Sequence, residues 1–234
     1  MIILAVDTAT DTCSVALAEG EHLLAEITGT RMQTHSRHLM GMIDSVFRLC
    51  DIGPRHADGF AVSSGPGSFT GLRIGISTIK GMAMAGGKPM SGILVTDVLA
   101  AQVSLSPWPV CVLTDARKGE VYCARYHSVS GIMNKDSAEQ VLSPESAISG
   151  IDETTLFVGN GAELYHDLIR ENLGERAIFA PRESSVIRAS VVARLAWSRF
   201  QKGERDDVAA FTPCYVRKSD KELGFGKPQI LQVR

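Results

Sequence analysis

The chain has no run of lysine or arginine. Its 24 basic residues are scattered among 26 acidic ones, for a net charge of −2. No basic stripe follows a phosphate backbone, so strong binding of nucleic acid by this chain alone is not expected. It also lacks any Cys-x-x-Cys. Cys13, Cys50, Cys111, Cys123 and Cys214 are odd in number and widely spaced, which argues against a disulfide framework or a zinc site and fits a reducing cytoplasm. No apolar run reaches the ~18 residues of a membrane span, and MIILAV is too short for a signal-peptide core before it meets Asp7. Neither export nor insertion is expected. The glycine-rich stretch SSGPGSFTGLRIG (63–75) misses both standard phosphate-loop templates: Gly65, Gly67 and Gly71 read G-x-G-x-x-x-G, and no G-K-[ST] follows.

What is present is 44% hydrophobic residues over 234 positions, enough for one large domain or two smaller ones. IILAV (2–6), CSVALA and LLAEIT read as strands of a hairpin sheet, with DTATDT as the first turn. Apolar residues at Leu39, Met42, Ile43, Val46 and Leu49 recur at helical spacing, opened by Thr34 as N-cap and closed at DIGP. GFAVSS is a strand. A second helix, 72–86, carries Leu72, Ile76, Ile79 and Ala83 on one face, while Gly75, Gly81, Ala83 and Ala85 keep it thin. SGILV and TDVLAAQV follow. The pattern then begins again: PVCVLTD and VYCARYH form a hairpin in which Asp115 stands where Asp7 stands in the first, followed by SPESAI, TLFVGN, GAELYHDLIREN and a helix from Ala189 to Phe200. This predicts an internal duplication, two α/β domains with mixed sheets flanked by helices: residues 1–103, residues 104–217, and a tail at 218–234.

Between the strand GFAVSS and the second helix, Gly65-Pro66-Gly67 makes a tight turn, Ser68 or Thr70 caps the helix, and Phe69 is expected to anchor the turn in the core. Arg73 sits in the first helical turn, where the dipole disfavours a cation, so a carboxylate or a bound anion is expected beside it. His35 and His38 are spaced by three. They lack the i, i+4 geometry and the acid of H-E-x-x-H, so first-turn surface residues are a better reading than a metalloprotease site.

Two domains that each open with strand–Asp–turn–strand resemble the actin, sugar kinase and Hsp70 superfamily, with its ribonuclease H-like α/β domains. Three strings narrow the resemblance: ILAVDTAT-x-x-CSVAL, GPGSFTGLRIG-x-x-x-x-KG and DARKGEVY. Together with Pro213, Tyr215, Val216 and Arg217 near the end of the chain, they resemble the TsaB family, accessory subunits of bacterial tRNA threonylcarbamoyladenosine synthesis. The resemblance implies a non-catalytic subunit that binds and organises its paralogue TsaD, joined by the ATPase TsaE. The base modified would be the adenosine adjacent to the anticodon in tRNAs reading codons that begin with A. It also implies tRNA contact only through the complex and a homodimer as the form open to the isolated chain. TsaD-like paralogues follow a K-P-x-x-G string with two metal-binding histidines; here KPMSG (88–92) is followed by Val95 and Leu99 at those places, and no histidine occurs between 57 and 126. Neither side chain can ligate a metal.

In the superfamily the hairpin aspartates hold a magnesium water beside nucleotide phosphates. Asp7, with Thr8, and Asp115 are therefore candidates for that role or for turn caps, and Gly159 and Gly161 for an adenosine-receiving element or for a strand-to-helix turn. No cofactor of its own is expected beyond ATP or ADP at those positions. The alternative function is a small ATP-binding kinase or ATPase of the same superfamily. The partner-docking surface is expected on the two N-terminal helices, at Leu39, Met42, Ile43, Val46, Ile76, Ile79 and Ala83, because the first helix is richer in apolar residues than one core stripe requires.

Overall fold

The computed structural model describes residues 1–30 and 35–216. Thr34, Arg217 and the tail at 218–234 lie outside the described residues. The first sheet is built from β1 (Ile2–Asp7), β2 (Cys13–Glu19), β3 (His22–Gly29), β4 (Gly59–Gly65) and β5 (Met90–Leu94), in the order β3-β2-β1-β4-β5. β1 pairs antiparallel with β2 and parallel with β4, and β4 runs parallel to β5. Ile3 to Asp7 are all buried, as expected for a strand covered on both faces. Helix α1 (His35–Leu49) lies between β3 and β4 in sequence, and α2 (Phe69–Gly86) between β4 and β5. α3 (Val95–Gln102) follows β5.

The second sheet repeats the scheme. β6 (Val110–Asp115) pairs antiparallel with β7 (Val121–Val129), which carries β8 (Ile132–Lys135) and β9 (Gln140–Leu142) on its other edge. After α4 (Pro144–Ile148), β10 (Thr155–Val158) runs parallel to β6. α5 (Asn160–Leu164) and α6 (His166–Leu173) then lead to β11 (Ala177–Phe179), parallel to β10. The single helix expected over GAELYHDLIREN is two: the helix breaks at Tyr165 (φ −108°, ψ 23°), and beyond the break Ile169 and Leu173 are buried with Ala162 in one cluster.

The last helix, α7 (Ala189–Gln201), follows the second sheet in sequence but covers the first, packing on β1, β2, β4 and β5. Strand parity separates the layers. Gly59 faces Phe200 of α7, and Val62 lies beside Gly75 of α2, so α1 and α2 cover one face of the first sheet and α7 the other. α3, which follows the first sheet, packs against β6, β7 and β8 of the second. α3 also touches β4, β5 and α7, so it lies between the two sheets, while α7 crosses from the second half to cover the first. The N-terminus of α7 is fixed by Glu26 of β3: Oε1 accepts from the Ser190 amide and hydroxyl, both at 3.0 Å, and the carboxylate pairs with Arg188.

After α7, residues 204–216 return along the edge of β5. The Asp206 amide donates to Met90 O (3.0 Å), Lys80 Nζ to the carbonyls of Ala209 and Phe211, and the Cys214 amide to Ser64 O (2.7 Å). This segment thereby delivers Tyr215 to the start of α2.

Candidate functional site

The stretch 65–71 folds as a turn and a cap. Ser68 Oγ accepts from the Gly71 amide (3.2 Å), and the Ser68 amide donates to Ala9 O (2.7 Å). Gly67, Gly71 and Gly75 each press backbone against the β1–β2 turn: a Cβ at Gly67 would overlap the Ala9 carbonyl oxygen, one at Gly71 the Thr8 carbonyl oxygen, and one at Gly75 the Thr8 hydroxyl. Thr8 Oγ1 donates to Gly71 O at 2.8 Å. The glycines are required by this close approach of two backbones.

Asp7 lies under that contact, fully buried; Oδ1 accepts from the Ala9 amide (3.4 Å), and Oδ2 has no partner among the described residues. Burial pushes its pKa up to about 7, against smaller opposing effects of the Ser63 hydroxyl and the Ala9 amide. In the second hairpin Asp115 Oδ1 accepts from the Arg117 amide (2.8 Å), Oδ2 pairs with the Arg117 guanidinium (3.2 Å), and the Asp115 amide donates to Asn160 Oδ1 (3.0 Å). Gly159, at φ +107°, and Gly161 both back onto Leu113: a Cβ at Gly159 would overlap its carbonyl oxygen, and one at Gly161 would come within 2.9 Å of it. Asp7, Thr8, Asp115, Gly159 and Gly161 are thus taken up by turn closure and backbone packing. The Asp7 carboxylate is sealed from solvent, and that of Asp115 is paired with the exposed guanidinium of Arg117.

The histidines do not come together. His35 is buried, its Nε2 2.8 Å from Thr10 O, whereas His38 is exposed. Val95 and Leu99 are core residues, and among the described residues no three ligating side chains gather into a metal site.

The docking set named from sequence is corrected by burial. Leu39, Met42, Ile43, Val46, Ile76, Ile79 and Ala83 all face the first sheet, with Val46 and Ile79 at 0% exposure. The apolar excess on α1 is real but falls on other positions: Met40 is 56% and Leu49 68% exposed. Between the outward faces of α1 and α2 runs a groove of about 530 Å³, lined by Ser36, Met40, Thr70, Arg73, Ile74 and Ser77 with Leu39 at its floor.

The end wall of this groove is aromatic. Phe69 is 40% exposed rather than anchored in the core. It stacks on Tyr215 with centroids 5.1 Å apart, Arg73 lies 3.7 Å over the Phe69 ring, and Arg73 Nε donates to Tyr215 Oη (3.1 Å). The cation at the start of α2 is therefore met by a ring face and a phenol instead of the expected carboxylate or anion.

Comparison with known proteins places the chain. The family model described as "TsaD: tRNA N6-adenosine threonylcarbamoyltransferase" matches residues 22–225. The Escherichia coli protein TsaB, named a tRNA threonylcarbamoyladenosine biosynthesis protein, is 30% identical over 94% of this chain and 96% of its own length. The chain belongs to the TsaB family. The Bacillus subtilis TsaB is 28% identical over 95% of this chain and 96% of its own. The solved structure of YeaZ from Pseudomonas aeruginosa superposes with a TM-score of 0.78 at 27% identity, covering 92% of this chain and 99% of that one. The two-domain actin-like fold is thereby shown for the chain. Set against the TsaB strings, the structure assigns ILAVDTAT and GPGSFTGLRIG to a single backbone-to-backbone contact. The Phe69–Arg73–Tyr215 cluster went unread in the sequence, although Phe69 and Arg73 are an i, i+4 pair and Tyr215 belongs to the terminal string that carries the family resemblance.

Proposed function

We propose that this chain serves tRNA threonylcarbamoyladenosine biosynthesis as a non-catalytic subunit that binds and organises a TsaD-type paralogue. The outward face of α1 and α2 is the docking surface in this reading. The observation that carries it is the match to TsaB relatives over nearly their full length, beside hairpin turns whose glycines are filled by close backbone packing. In this reading the subunit acts through its surface. A groove with Met40 and Ile74 on its walls and an aromatic–guanidinium end fits an apolar helix pair from a paralogue with the same fold. In this proposal TsaE joins the assembly and tRNA meets it through the complex. A second copy of the chain takes the same face when the paralogue is absent. Nucleotide, where the assembly uses it, belongs to the other components.

The test is reconstitution. Depletion of this protein should abolish the threonylcarbamoyl nucleoside in tRNA, and adding back the purified chain with a purified TsaD-type partner should restore it. Isothermal titration of the isolated chain with ATP and magnesium should give no heat of binding. Micromolar binding with phosphate release would instead favour an ATPase.

A further inference from the structure

Away from the groove and the hairpin turns, β6 and β7 bring two thiols together. Cys111 is fully buried and Cys123 is 5% exposed, and their Sγ atoms are 3.9 Å apart. Cys111 stands opposite Arg125 and Leu113 opposite Cys123, so the cysteines are diagonal neighbours on one face of the hairpin. That face is roofed by α4, whose Ala147 and Ile148 share a core cluster with both thiols. The roof is latched from below: Arg125 donates to the carbonyls of Ala147 (2.9 Å) and Ser149 (2.8 Å). The contact between the sulfurs holds the Cys123 thiol below its usual range and raises that of Cys111, and the nearby Arg125 charge favours thiolate at both. Cys13, Cys50 and Cys214 are free thiols as well.

We propose that Cys111 and Cys123 form a reversible thiol–disulfide couple, oxidised by hydroperoxides when α4 opens. The Cys123 thiolate attacks a peroxide oxygen; the O–O bond breaks, a sulfenic acid forms on Cys123, and the departing oxygen takes up the proton the Cys123 thiol released and leaves as water from hydrogen peroxide or as an alcohol from an organic hydroperoxide. Cys111 sulfur then attacks Cys123 sulfur, the S–S bond forms, the S–O bond breaks, and a second water leaves with the Cys111 proton. Two thiols are oxidised and one hydroperoxide is reduced. The sulfurs approach from 3.9 Å to the roughly 2 Å of an S–S bond. A small dithiol reduces such a bond by thiol–disulfide exchange, which makes the couple reversible.

The chain supplies its own readout, because Arg117 and Lys118 lie between the two cysteines. The full-length folded protein is treated with hydrogen peroxide, then unfolded in alkylating reagent and digested with trypsin. The expected product is peptide 119–125 joined to the peptide ending at Arg117, separated again by dithiothreitol. Two alkylated cysteines, a sulfinic acid with no linked peptide, or linkage only in protein unfolded before oxidation would overturn the proposal. Cys111→Ser provides the second measurement: Cys123 should stop at a sulfenic acid that a cyclic dione traps. A disulfide still formed on Cys123 in that variant would show that Cys111 is not its partner.

Discussion

Thr8 and Gly71 hold the first hairpin turn to the start of α2: the threonine hydroxyl donates to the glycine carbonyl at 2.8 Å, and no room exists for a Cβ on Gly71 beside the Thr8 carbonyl. Gly71→Ala should therefore push two backbones apart and lower stability by about 2–3 kcal/mol. For a chain of this size that corresponds to a fall in Tm of roughly 5–10 °C, read by circular dichroism. An unchanged Tm would show that the turn yields freely and that it does not set the position of α2.

Met40 and Val46 occupy the same helix and predict opposite failures. Val46 is fully buried, and Val46→Glu should unfold the chain, since an unpaired carboxylate in that core costs on the order of several kcal/mol. Met40, 56% exposed on the groove, can become Glu with Tm unchanged while the affinity for a TsaD-type partner falls at least about tenfold. Calorimetry of both variants separates fold from docking. Full partner affinity in Met40→Glu would move the docking surface away from the groove.

Asp7 should make the protein less stable as pH rises. Its folded pKa of about 7 lies above the ordinary value of 3.8, so the folded state keeps a proton that the unfolded state releases. Stability is then full below pH ~4 and falls through pH ~7, by up to roughly 4 kcal/mol. Asp7→Asn should flatten that slope in urea titrations and leave the variant at least as stable as the parent at pH 8. A parallel pH profile in the variant would refute the assignment.

Glu26 works in the opposite sense. Burial raises its pKa, but the Arg188 and Ser190 hydrogen bonds more than offset this and hold it below the ordinary 4.5. Its contribution is present above that value and lost as pH falls below it. Glu26→Gln should destabilise the chain by about 2–3 kcal/mol at neutral pH, with a smaller difference from the parent at pH 3.5. Hydrogen exchange should show the first turn of α7 opening in the variant.

The hairpins, α1, α2 and the repeated order of elements were legible in the sequence because strands buried on both faces read as apolar runs and helices as 3.6-residue stripes. β8 and β9 were not, since IMNK and QVL are short strands without a buried residue, so no alternation of buried and exposed positions marks them. The direction of the α1 stripe was misassigned for a related reason. Leu39, Met42, Ile43 and Val46 mark one face of a helix, and only the sheet beneath decides whether that face is the core or a surface. The aromatic end of the groove depends on Tyr215 meeting Arg73 across 142 positions of chain, a distance no local pattern spans.

The placement of α7 on the first sheet has a consequence during synthesis. A ribosome that has delivered the whole first sheet has not yet made the helix that covers its second face, so that oily layer stays open until about residue 200 has emerged from the exit tunnel. Nascent chains stalled anywhere before α7 leave that face without its cover, and completion of that one helix closes the first sheet.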